Sequence, residues 1–156
     1  MEDLSHYLIQ TELVDTTKVL STWNWLIQSD KAIAALTKMG DAVLIDNSNN
    51  LYHLDTGLGE LYLLGQDRYQ FLDGTLNPDV YEDILSLRLV DELEAANKYL
   101  ETNQVYPFYQ LPLMGGAYAA DNIYCLDIYE HFGLTGEIHL QLSGLPDGTE
   151  VILKTE

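Results

Sequence analysis

The sequence predicts an α+β fold, with a central antiparallel meander sheet packed against N-terminal helices, one long middle helix and a C-terminal helix-strand unit. Three observations carry this. Residues 42–64 fall into three short apolar-alternating runs separated by turn residues. Asn77-Pro78 opens a stretch whose apolar residues recur at helical spacing. Helices, strands and helices come in blocks rather than in strand-helix alternation, which argues against a parallel sheet. One domain over 1–156 is expected, with 1–40 helical, since this length can bury roughly two thirds of its unfolded surface.

Residues 3–28 read as helix in two pieces. Leu4, Tyr7 and Leu8 start one apolar stripe, and Val19, Leu20, Trp23, Leu26 and Ile27 make another. Asp15-Thr16-Thr17 between them supplies capping chemistry for a restart. A short helix is expected over 31–39, stopped by Gly40. The strands follow at 42–46, 51–55 and 59–65, with Asn47-Ser48-Asn49-Asn50 and Thr56-Gly57 as turns. The middle helix runs from Pro78 to Glu101, capped by Asn77, with Ile84, Leu87 and Leu93 on its buried side. Residues 106–112 are extended and aromatic, and 122–129 form a strand leading into a helix over 130–142 that Gly133 and Gly136 weaken. Gly144 and Pro146 end that helix, and 149–154 form a closing strand.

Charge narrows the function. Lys and Arg number 7 against 25 Asp and Glu, a formal net charge of −18, yet 47% of residues are hydrophobic and eleven are Tyr. Disordered chains of such charge lack apolar residues, so this charge rides on a folded surface. It disfavours nucleic acid and anionic membrane and favours a basic protein or a cation. No basic leader and no stretch of about twenty apolar residues is seen, so the chain is expected in the cytoplasm.

Catalytic signals are absent. Cys125 is the sole cysteine and reads as a structural thiol. The glycines of 56–59 and 114–117 lack the Lys-Ser/Thr ending of a phosphate loop and read as turns. His131 and His139 would share a helix face but lie roughly 12 Å apart, too far for one metal. Ser143 has no nucleophile-elbow pattern around it, and no carboxylate pair stands out. The residues therefore favour a binding module over an enzyme, with no catalytic residue, metal or cofactor expected.

Several motifs stand in a fixed order. They are Trp23-Asn24-Trp25-Leu26-Ile27, Gly40-Asp41-Ala42-Val43-Leu44-Ile45-Asp46, and Tyr52-His53-Leu54-Asp55-Thr56-Gly57-Leu58-Gly59-Glu60-Leu61. Later come Leu113-Met114-Gly115-Gly116-Ala117-Tyr118, Asp121-Asn122-Ile123, Glu130-His131-Phe132, Gly136-Glu137-Ile138-His139 and Leu145-Pro146-Asp147-Gly148-Thr149. This ordered set, over residues 23–154, resembles the C-terminal domain of type VI secretion immunity proteins of the Tdi type, which neutralise DNase toxins. The resemblance implies a non-catalytic inhibitor whose partner is a cognate toxin domain, and a basic one suits the charge. The motifs read as turns, glycines and core, so no site residue is carried over from them. An acidic regulatory domain with a different cellular partner is the alternative. Under the immunity reading the expected toxin-binding face is the exposed side of the middle helix with Glu82, Asp83, Asp91 and Glu92, helped by Asp73 and Asp79, because carboxylates are dense at the positions its apolar stripe leaves outside.

Overall fold

Each central strand buries both of its faces, which makes the sheet the middle layer of the molecule. In the computed structural model, which describes residues 4–28, 30–65 and 68–145, five strands pair in sequence order. These are β1 (Leu8–Ile9), β2 (Lys31–Thr37), β3 (Ala42–Asp46), β4 (Leu51–Asp55) and β5 (Glu60–Gly65), all antiparallel. The expected meander is present and extended by two strands. Because side chains alternate along a strand, Ala35, Val43 and Leu51 join one core and Leu36, Ala42, Leu44 and Leu54 the other.

The helix expected over 31–39 is instead β2. Its alanines favour a helix locally, but as a strand the segment pairs from Lys31↔Asp46 to Leu36↔Ala42 and covers the open edge of β3. Gly40, at φ 82°, makes the turn into β3 rather than a helix cap. N-terminal to β2, α1 (Thr16–Leu20) starts where Asp15 accepts the Lys18 amide at 3.2 Å, and α2 (Asn24–Ile27) follows after a short 3-10 turn. Short 3-10 turns at Leu4–Tyr7 and Thr11–Leu13 flank β1, where continuous helix was expected.

After β5 comes α3 (Arg68–Asp73), and then the middle helix divides. Asn77 caps it as expected, accepting the Asp79 amide at 2.9 Å. Ser86 adopts φ 52°, ψ 54° and breaks the run into α4 (Pro78–Leu85) and α5 (Leu87–Ala95). The break resets the helical phase. Ile84, Leu85, Leu89, Val90 and Leu93 are buried, while Leu87 is half-buried against the same core rather than at its centre. Asn97, in the left-handed region at φ 63°, stops α5 well before Glu101, with the Lys98 amide returning to the Leu93 carbonyl.

The strand expected over 122–129 shrinks to β7 (Leu126–Asp127), paired with β6 (Gln104–Val105) in a separate two-stranded sheet. The final helix, α6 (Ile128–Ser143), begins two residues earlier than expected because Asp127 accepts the amides of Tyr129 and Glu130. The closing strand expected over 149–154 lies outside the described residues. Thus α4 and α5 cover one face of the sheet with Tyr81, Ile84, Val90 and Leu93, and the α1–α2 segment with its 3-10 turn and α6 cover the other with Trp23, Ile27, Ile128 and Phe132. Each such fully buried large side chain contributes about 2–3 kcal/mol.

Candidate functional site

Four of the quoted motifs, those carrying Asp41, Thr56, His131 and His139, meet at one turn. Thr56 follows β4, and its carbonyl accepts His139 Nε2–H at 2.8 Å. His131 Nε2 lies 2.8 Å from the Gly40 carbonyl, which can only accept, so this nitrogen carries the proton. The Thr56 hydroxyl is then free to donate to Asp41 Oδ1 at 3.0 Å, which also accepts the Thr56 amide at 3.0 Å. Burial lowers both His131 and His139 below the usual histidine range, outweighing their backbone hydrogen bonds, so both work as neutral struts. The packing demands glycine: a Cβ on Gly40 would lie 2.3 Å from His131 Nε2, and one on Gly59 would lie 2.4 Å from His139 Nδ1. The two histidines therefore share a helix face, as expected, and tie α6 to the β2–β3 and β4–β5 turns.

This turn presents Asp41, His53 and Asp55 on the opposite side, toward α4 and α5. There they line a cleft of about 690 Å³. His53 Nε2 and Asp41 Oδ2 are 2.9 Å apart. Burial alone would lower the His53 imidazole, but the hydrogen bond and charge of Asp41 win and raise it. Burial first, and the Asp41 charge second, push the Asp55 carboxyl up to about 6, although it accepts the Leu58 amide. The helices supply Glu82, Asp83, Arg88 and Glu92, and Phe108, Tyr62 and Tyr118 form aromatic walls. Burial and then the charges of Asp55 and Asp41 push the Tyr118 phenol up to about 12. The electrostatic character is that of an acidic cleft with apolar walls.

Of the six candidate acids, Glu82, Asp83 and Glu92 meet in this cleft. The other three do not line it. Asp73 is exposed at the end of α3, Asp79 is exposed in the first turn of α4, and Asp91 accepts the Tyr7 hydroxyl at 2.9 Å. Glu82 has a second job, since its carboxylate accepts the Arg88 amide at the start of α5 at 3.3 Å. Sequence reasoning missed Asp41, His53 and Asp55. Their signal was present: positions 53 and 55 alternate on one strand and so face one side. Among the described residues no three His, Cys, Asp or Glu side chains group as metal ligands would. The Cys125 thiol is raised by burial first, against the nearby Lys98 charge.

Residues 66–139 match the family model described as T6SS immunity protein Tdi1, C-terminal. No curated protein matches the chain. Among solved structures it is similar to Atu4351 from Agrobacterium tumefaciens, with a TM-score of 0.51 at 12% sequence identity, which is a likeness of fold. That alignment covers 80% of this chain and 65% of the Atu4351 chain, so this chain spans just under two thirds of its neighbour's length. From the end of β5 into α6, then, the chain matches the C-terminal domain of the T6SS immunity protein Tdi1 family, the family that its ordered motifs resemble.

Proposed function

We propose that this chain is a non-catalytic immunity protein that binds a cognate nuclease toxin and neutralises it through its acidic cleft. The family match supports an immunity role and a toxin protein as partner. The observation that carries the finer reading is the gathering of Asp41, Asp55, Glu82, Asp83 and Glu92 around one cleft with aromatic walls, on a chain of net charge −18. Nuclease domains hold phosphates with basic residues. An acidic face competes for that basic surface and speeds encounter by electrostatic steering. Among the described residues no helix is long and apolar enough to cross a membrane. Inhibition in the cytoplasm, where the DNA is, completes the reading.

Co-expression tests this reading. Cells expressing any nuclease domain found encoded beside this gene should survive when the chain is co-expressed and lose DNA integrity when it is not. Failure to protect against any neighbouring nuclease would contradict the immunity reading.

A further inference from the structure

We propose that the cavity between the 107–114 segment and α6 is a binding site for a neutral two-ring aromatic with a single N–H donor, of the indole class, held by that N–H on His131 Nδ1. The inference is independent of the toxin reading, and the cavity shares only the Phe108 ring with the acidic cleft.

The lining decides the charge of the ligand. The cavity holds about 240 Å³, and on a chain of net charge −18 no Asp, Glu, Lys or Arg lines it. Pro107, Leu111, Met114, Leu126, Leu134 and Ile138 supply apolar walls. A charged ligand would stay unpaired there, so the occupant is neutral. His131 also lines the cavity, and its Nδ1 is buried with no hydrogen-bond partner among the described residues. A buried acceptor left unpaired is costly, and a ligand that donates to it removes that cost.

The protons fix the sense of the bond. His131 Nε2–H donates to the Gly40 carbonyl at 2.8 Å, and burial lowers the imidazole below the usual histidine range. The ring is therefore neutral, and Nδ1 is a lone pair. Thr135, one turn on along the same wall, donates its hydroxyl proton to the His131 carbonyl at 2.8 Å and has only lone pairs left to offer. Beside two acceptors, an indole N–H, which only donates, fits better than a phenol, whose oxygen sets further lone pairs against them. Size agrees, since an apolar cavity of about 150 Å³ holds benzene and this one leaves room for a second ring. Phe108, Tyr124 and the Met114 thioether offer the ring and sulfur contacts that a flat aromatic takes up. Tyr109, 70% exposed, stacks on Tyr124 with ring centroids 4.6 Å apart and carries that aromatic wall out to solvent.

The test titrates indole into the whole chain, followed by calorimetry and by the nitrogen resonance of His131 Nδ1. Benzofuran, the same two rings with oxygen in place of N–H, is the comparator. Indole should bind saturably and move the Nδ1 resonance upfield. Benzofuran should bind at least about threefold more weakly and leave that resonance in place. Leu134→Trp, at the exposed rim, and Met114→Trp, on the facing wall, should each fill the cavity and remove indole binding, and whichever keeps the native amide spectrum is the one read. N-acetyltryptophanamide separates the sources of the ring. Its binding with the same Nδ1 shift supports a tryptophan side chain of a partner, and its exclusion while indole binds supports a free small molecule. No saturable indole binding, equal affinity for benzofuran, or full indole binding by a folded Trp variant would overturn the proposal. So would an Nδ1 resonance that indole does not move, as a buried water already bonded there would leave it.

Discussion

Asp55 shows at the scale of one residue how the cleft sacrifices stability. A carboxylate at about 6 in the folded chain lies above its ordinary value of about 3.9, so the folded state binds more protons between these two pH values. Stability therefore falls as pH rises through that window and stays low above it. Asp55→Asn removes this penalty. It should stabilise the protein by about 1–2 kcal/mol at neutral pH, and the gain should vanish below about pH 4, as read by chemical denaturation across that range. A destabilised Asn variant at neutral pH would show instead that the carboxylate is a structural acceptor and no more. Gly59 makes the complementary case. Its φ of 70° and the 2.4 Å approach of His139 leave no room for a methyl group. Gly59→Ala should cost at least about 2 kcal/mol in the same measurement.

At the scale of elements, α6 carries two glycines that sequence propensity treats alike and packing separates. A Cβ on Gly133 would meet nothing within 4 Å, whereas one on Gly136 would sit 2.4 Å from Thr22 Oγ1 and 2.7 Å from its carbonyl. Gly133→Ala should therefore raise stability by about 0.5–1 kcal/mol, and Gly136→Ala should lower it by about 1–3 kcal/mol; paired thermal melts decide. The same contrast explains what was legible in the sequence. The strands of the meander could be read because alternation and turn residues agreed there. The segment that became β2 could not, because its alanine-rich run has helical preference and the partner that makes it a strand lies across the turn at Gly40. The division of the middle helix was equally hidden, since Ser86, at φ 52°, carries no strong stop signal in the sequence. Asn97 also ended the helix before the expected Glu101, although asparagine is a residue that commonly takes the left-handed position after a helix.

For the whole molecule, three distant stretches make the cleft: the β2–β3 turn with β4 and β5, the α4–α5 break, and the segment around Phe108 and Tyr118. Local acidic density in the sequence picked out six acids, of which Glu82, Asp83 and Glu92 line this cleft while Asp73, Asp79 and Asp91 do not. It could not find Asp41 and Asp55, because their nearness to the helices is a tertiary fact. The net charge of −18 was fully legible, and it makes association with a basic partner fast at low salt and slower as salt screens it. The variant that probes this cleanly reverses Asp83 and Glu92 to Lys, both exposed in the cleft and free of the helix-capping contact that engages Glu82. The most direct measurement is the association rate of this double variant with the nuclease toxin domain proposed as its partner across ionic strength, beside its melting temperature. The predicted result is a rate lowered by about tenfold at low salt and a flattened salt dependence, with melting nearly unchanged. A variant that associates at the wild-type rate at every ionic strength would contradict the acidic cleft as the toxin-binding surface.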